Sequence, residues 1–251
     1  DMKVMEPAAM KVAFGENPKK NYGMNGNLPS TRMAIAAMLR EELMNAQIYA
    51  DKRKRQEVEP DFCMEPWIPV LERKIPLKAH VHRTDDILTA IRIGKEFGLD
   101  ITLDHCSEGH LIIEEILSSG YPAIVGPAMT ARNKIEVQYV DFKTVGELQR
   151  AGICVAVTTD HPVTLIQYLP ICAGMAAKEG MTVENALRAI TIDAAKICRV
   201  DRRLGSLKAG KDADMAIYDG NPMEVFSRNQ YTIINGEIVY DAKKKEVSRA
   251  R

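Results

Sequence analysis

Residues 75–106, IPLKAHVHRTDDILTAIRIGKEFGLDITLDHC, decide the fold class. Two short apolar runs, one around residues 77–81 and one around residues 101–105, flank a stretch in which apolar residues recur every three or four positions. The short runs predict buried strands, and the stretch between them predicts a helix from about residue 84 to residue 98. A strand, a helix and a second strand in this order are typical of a parallel sheet covered by helices.

The same order recurs on both sides of this stretch. MKVAFG at 10–15 predicts a strand that ends in a turn at Glu16-Asn17-Pro18, and residues 31–55 predict a long helix. Two more strands are predicted in YPAIVGP at 121–127 and ICVAVTTD at 153–160, and further helices near residues 109–119, 144–151, 164–177 and 183–190. Five strand–helix units are too few for a closed eight-stranded barrel, unless its first three strands lie outside this chain.

The last fifty residues have a different pattern. Residues 205–220 and 232–241 alternate and turn like β-hairpins, with Asn235-Gly236 as a two-residue turn. We therefore predict a barrel domain over residues 1–200 and a small β appendage over residues 201–251. GSLKAGKD at 205–212 has the glycine and lysine spacing of a phosphate-binding loop, but Asp212 replaces the required Ser or Thr, so we reject that function.

Composition excludes several classes of protein. The 251 residues include 34 Lys and Arg and 34 Asp and Glu, so no net charge draws the chain to nucleic acid or to an acidic membrane. No apolar run reaches the length of a membrane span. The five cysteines are widely spaced and form no CxxC pair, which predicts reduced thiols and a cytoplasmic location.

Histidines and acids gather where the predicted strands end. His80 and His82 share one strand, His105 ends the next, and Glu16 and Asp160 follow two others. Because the carboxyl ends of parallel strands meet at one mouth, we expect these side chains to converge there as a site for a divalent metal. The alternative for each histidine alone is a residue that only lines the barrel. Cys106 beside His105 is rejected as a nucleophile, because neighbours on a strand point to opposite faces.

Several motifs together resemble one family. GENPKKNYG at 15–23, AHVH at 79–82, LDH at 103–105, TTDHP at 158–162 and GSLKAGKDAD at 205–214 look like the imidazolonepropionase-related branch of the amidohydrolase superfamily. The resemblance implies an α/β fold, the (β/α)8 TIM-like barrel of metal-dependent hydrolases with a small β-sandwich beside it. It also implies an HxH pair on a first strand. That pair is missing here, because His80 and His82 occupy the position of strand 5. We therefore expect an incomplete barrel comprising strands 4–8, and only part of the composite sandwich.

The resemblance also assigns roles to residues. It implies that Glu16 is the strand-4 metal ligand, that His80 or alternatively His82 is the strand-5 ligand, and that His105 is the strand-6 ligand. Asp160 becomes the strand-8 carboxylate, both a metal ligand and the catalytic proton acceptor. The expected substrate-binding or supporting residues are His82, Arg83, Arg132 and His161, and Lys134 is a further candidate for an anionic substrate group.

The expected activity is hydrolysis of a C–N bond in a small amide or cyclic amide by a metal-activated water. Zn²⁺ is the first choice of metal, with one or two ions, because it lowers the pKa of its bound water to about 7. The rival is a noncatalytic fragment, or a binding or assembly protein with an incomplete metal site. We expect a small-molecule substrate, no nucleic-acid or membrane partner, and a homo-oligomer.

Overall fold

A five-stranded parallel sheet forms the centre of the computed structural model, which describes residues 3–23 and 26–244. Its strands follow chain order across the sheet: β1 (Met10–Ala13), β2 (Leu77–Val81), β3 (Ile101–His105), β4 (Ala123–Val125) and β5 (Val155–Val157). Every neighbouring pair is parallel, and the register pairs Val81 with His105. With the helices that follow the strands, this is part of a (β/α)8 barrel, as predicted.

The two faces of the sheet differ in polarity. On β2, Leu77, Ala79 and Val81 are buried in the apolar core that the helices share with the sheet. The opposite face of β1 to β3 carries an ion-pair network, in which the buried Asp104 accepts from Lys11 at 2.5 Å and Lys78 at 3.0 Å. Burial raises the pKa of Asp104, but the two ammonium groups outweigh this effect and hold it below its ordinary value.

Nine α-helices lie wholly within the described residues. They are α1 (Glu16–Gly23), α2 (Arg32–Lys54), α3 (Ile68–Leu71), α4 (Thr84–Glu96), α5 (Ile113–Ser119), α6 (Lys143–Arg150), α7 (Leu169–Lys178), α8 (Val183–Ala189) and α9 (Ile192–Ile197). The Thr31 hydroxyl accepts from the backbone N–H of Ala34 at 3.1 Å, and it therefore fixes the start of α2 where the sequence predicts it. No helix in the described part of the chain is long and apolar enough to cross a membrane.

Two local predictions were wrong. Helix α1 begins at Glu16, where a turn was predicted; Pro18 is tolerated in a first helical turn, and a carboxylate from a distant loop accepts the N–H of Glu16 at 2.8 Å. The single helix predicted for residues 109–119 is divided into a 3-10 turn (Gly109–Leu111) and α5. The backbone of Ile112, at φ −139° and ψ 45°, leaves the helical region between them.

The carboxyl-terminal part forms a second, antiparallel sheet of β6 (Met215–Tyr218), β7 (Asn229–Ile234) and β8 (Glu237–Asp241). Asn235 and Gly236 both have positive φ, 51° and 82°, which confirms the two-residue hairpin turn. The change of sheet lies between α9 and β6, while the domain boundary at residue 200 stays a prediction. All five cysteines are free thiols.

Candidate metal centre

His80 and His82 reach the mouth of the sheet by simple alternation. His80 lies on β2 and His82 follows its last residue, so both side chains leave the face that Lys78 also occupies. Both are almost completely buried, at 9% and 6% exposure. The Nδ1 atom of His82 lies 2.8 Å from the Ser107 hydroxyl.

His105 reaches the same place by a different route. Alternation along β3 would direct its side chain to the face opposite Asp104, toward the helices. Its φ of 73°, followed by 48° at Cys106, departs from strand geometry and turns the imidazole toward the β2 histidines. Each such conformation costs about 1–3 kcal/mol and is concentrated at functional sites.

The three imidazoles form one compact cluster. The ring centroids of His80 and His105 lie 4.4 Å apart, and His82 lies 4.8 Å from each of them. Each ring offers one nitrogen, and the three nitrogens lie within 4.8 Å of one another. Imidazole nitrogens this close can bind a common divalent ion after small adjustments.

The cluster is held in its neutral form. Burial, with a smaller contribution from His105, lowers the pKa of His80 to about 3 and that of His82 to about 2. Burial also lowers the pKa of His105. The hydrogen bond to Gly126 and the negative charge of Asp160 act in the opposite direction and partly offset this lowering. The Nδ1–H of His105 donates to the Gly126 carbonyl at 2.7 Å, so Nε2 carries the lone pair. Neutral imidazoles are the form that metals bind, and this donor set fits a divalent ion.

Asp160 lies beside the cluster, after β5. It has a φ of 48° and lines a cleft of about 400 Å³ together with His80 and His82. The same cleft is lined by Asn17 and Lys134. Asp160 is exposed, so a substrate that enters the cleft can reach its carboxylate.

The structure does not bring Glu16 into the histidine cluster. Its carboxylate lies 3.6 Å from Lys20 and lines a neighbouring cleft of about 530 Å³. Its role as a metal ligand therefore stays a prediction.

Three further predicted residues are engaged elsewhere. Arg83 donates to Asp85 at 3.1 Å, Arg132 donates to the carbonyl of Val140 at 3.1 Å, and His161 accepts from the backbone of Ile166 at 3.3 Å. None of the three lines the cleft formed by the described residues around Asp160. Their substrate contacts also stay predictions.

The sequence reasoning missed a buried carboxylate, Glu136, in the loop between β4 and α6. Its side chain is fully buried, accepts from Lys134 at 2.5 Å and from the N–H of Glu16 at 2.8 Å, and lies 3.9 Å from Nε2 of His82. It was hidden because it lies 120 residues from Glu16 and follows no strand end directly. The one available signal was its presence in VGPAMTARNKIE at 125–136, a segment that belongs to the family resemblance.

Cys106, rejected above as a nucleophile, directly follows His105. Its side chain is completely buried, and burial raises the pKa of the thiol to about 12. A thiol with this pKa supplies no nucleophilic thiolate at neutral pH.

Known amidohydrolases resemble this chain in sequence and in fold. An amidohydrolase from Thermotoga maritima MSB8 is 36% identical and superposes with a TM-score of 0.92, over 95% of this chain and 64% of that protein. Amidohydrolase tasK from Hapsidospora irregularis is 26% identical over 258 residues, which cover 92% of this chain and 26% of tasK. A crystal structure of a Xaa-Pro dipeptidase with bound methionine is 19% identical with a TM-score of 0.56, over 72% of this chain and 48% of that one, and supports the fold alone.

The chain thus spans 64% of the Thermotoga protein and about a quarter of tasK. The imidazolonepropionase-related branch and the absence of three strands stay predictions. The family model of the amidohydrolase family matches residues 78–240, which contain all three clustered histidines and Asp160. Because this match covers well over half of the sequence, the chain belongs to the amidohydrolase family, as predicted.

Proposed function

We propose that this chain carries the metal site of a hydrolase that cleaves a C–N bond in a small amide or cyclic amide. The observation that supports this proposal best is the cluster of three buried, neutral imidazoles at the carboxyl ends of β2 and β3. Neutral imidazoles suit Zn²⁺ among biological divalent ions, and we propose zinc as the resident metal. When bound, the ion supplies Lewis acidity that polarises an amide carbonyl and activates a water for attack.

Side chains of this chain would hold the ion and transfer the proton. His80, His82 and His105 would hold the ion, and their burial keeps protons from competing with it. Asp160 would accept the proton of the attacking water and pass it to the leaving nitrogen, since it lies in the same cleft and is open to substrate. The cleft of about 400 Å³ favours a small-molecule substrate.

The balanced charge of 34 basic and 34 acidic residues favours neither nucleic acid nor a membrane surface as a partner. Free thiols persist in a reducing compartment, so we propose a cytoplasmic location. We also propose a homo-oligomer, because β1 and β5 lie at the two ends of the parallel sheet in the described part of the chain.

Metal analysis tests the proposal. Wild type, His105→Ala and His110→Ala are purified in parallel and their divalent metal content is measured per chain. His110 is a matched control because it lies outside the cluster, where its Nδ1 is 3.0 Å from the Thr144 hydroxyl. We expect one metal in wild type and His110→Ala and a loss in His105→Ala; equal content in all three would refute the metal site.

Activity is measured on the same wild-type preparation with a panel of small linear and cyclic amides. Hydrolysis that stops on chelation and returns with Zn²⁺ is the expected result. Tight metal binding with no turnover of any amide would instead favour the noncatalytic alternative.

A further inference from the structure

Lys134 links the loop between β4 and α6 to helix α1, beside the histidine cluster. Its ammonium lies 3.0 Å from Oδ1 of Asn17 in α1 and 2.5 Å from Oε1 of Glu136. The fully buried Glu136 also accepts the backbone N–H of Glu16. Two of the three N–H groups of Lys134 are therefore engaged, and its position is fixed from both sides.

Asn17 connects Lys134 to the metal centre. Its Nδ2 lies 3.3 Å from Nε2 of His80. An ammonium group only donates hydrogen bonds, so the amide oxygen of Asn17 must face Lys134. The amide NH₂ must then face His80. The flipped amide would set the NH₂ group against the ammonium, two donors in contact, and is disfavoured.

The same assignment of donors and acceptors determines which ring nitrogen of His80 carries the proton. The NH₂ of Asn17 also only donates, so Nε2 of His80 must accept and cannot carry a proton. A neutral imidazole has one ring proton, which therefore lies on Nδ1. His105 has the same protonation pattern, because its Nδ1–H donates to Gly126.

We propose that Lys134 is a positioning residue: through the amide of Asn17, it holds His80 in the Nδ1–H tautomer and keeps Nε2 ready to bind the metal. The benefit of this tautomer for metal binding rests on the proposed function, but the tautomer itself is a property of the metal-free protein. A bound ion would take the place of the Asn17 amide at Nε2 of His80, so the amide would set the tautomer before the metal binds. In the other tautomer Nε2 carries the ring proton and cannot bind the ion, so metal affinity depends on the fraction of His80 in the Nδ1–H tautomer.

Nitrogen-15 NMR of the histidine rings in the metal-free full chain reads the tautomer directly, with the His80→Gln spectrum assigning the His80 signals. In wild type we expect protonated Nδ1 and unprotonated Nε2 on His80. Lys134→Met should give a mixture of tautomers and weaken Zn²⁺ binding in proportion to the lost Nδ1–H fraction, about 2-fold for an equal mixture. Lys134→Arg, which keeps the donors, should restore both properties, and Lys19→Met, on the neighbouring cleft, should change neither.

Asn17→Asp is the sharpest variant. Aspartate pairs with Lys134 at least as well as asparagine does, so the loop that carries Lys134 stays joined to α1. However, it presents only acceptors to His80 and should move the ring proton to Nε2. A wild-type His80 protonated on Nε2, or an unchanged tautomer in both Lys134→Met and Asn17→Asp, would overturn the inference. If the tautomers behave as expected but wild type binds no Zn²⁺, the proposed function fails and the tautomer control stands.

Discussion

Gly15→Ala tests how tightly the loops around the metal centre are packed. Gly15 lies between β1 and α1 with φ of 77°. A Cβ at this position would lie 2.6 Å from Oε2 of Glu136 and 3.0 Å from Oδ2 of Asp86. Both carboxylates are buried and hydrogen-bonded, by Glu16 and Lys134 in one case and by Arg32 in the other, so neither can move aside freely.

The expected loss has two parts. A non-glycine residue in the left-handed region costs about 1–2 kcal/mol. Displacing Glu136 breaks its charge-assisted hydrogen bond from the N–H of Glu16, which is worth about 1.5–3 kcal/mol. Gly15→Ala should therefore lower the free energy of unfolding by about 2.5–5 kcal/mol, the sum of these two ranges.

Gly98→Ala is the matched control. Gly98 has a φ of 65°, and a Cβ there would have nothing within 4 Å, so only the backbone cost of about 1–2 kcal/mol remains. Urea unfolding of wild type and the two variants gives the comparison. Because Glu136 lies 3.9 Å from His82, Gly15→Ala should also weaken Zn²⁺ binding, whereas Gly98→Ala should not. Equal losses of stability in the two variants would refute the packing argument.

Three other predictions concern chemistry, pH and assembly. Asp160→Asn keeps the size of the side chain and removes the proton acceptor, so kcat should fall at least ~10²-fold while metal content is retained; near-wild-type turnover would exclude the catalytic role. In the metal-free protein His80 stays neutral down to about pH 3, while an unfolded histidine protonates near pH 6.5. The free energy of unfolding of wild type should therefore fall as pH falls through this window, by about 1.4 kcal/mol per pH unit more than that of His80→Gln. Urea unfolding at several pH values gives both pH dependences, and identical ones would contradict this. Sedimentation equilibrium should find an oligomer, since β1 and β5 end the parallel sheet; a single monomeric species would argue against that assembly.

Local sequence patterns were sufficient for the strands and for one side of the site. Alternating residues on β2 place His80 and His82 on one face, and the order of strands and helices specifies a parallel sheet with its strand ends at one mouth. The Asn235-Gly236 turn was predictable for a similar reason, because few residue pairs adopt two successive positive φ values.

The rest of the site depends on conformations and contacts with no local signature. His105 was predicted at the mouth because it ends a strand, although alternation along β3 alone points its side chain away from the cluster. Its positive φ turns the ring toward the other two histidines, and its Nδ1–H donates to Gly126. Glu136 acquires its role from a loop that folds back onto the start of α1, a contact between residues 120 positions apart. That contact also explains why Glu16 begins a helix where the sequence predicts a turn.

His80, His82 and His105 are proposed to bind one divalent ion together. X-ray absorption spectroscopy of the Zn²⁺-loaded full chain measures the number of nitrogen ligands and identifies imidazoles by their scattering. We expect three imidazoles at about 2.0–2.1 Å from the zinc, and two in His105→Ala if that variant still retains the ion. A zinc bound only by oxygen ligands, or by a single imidazole, would contradict it.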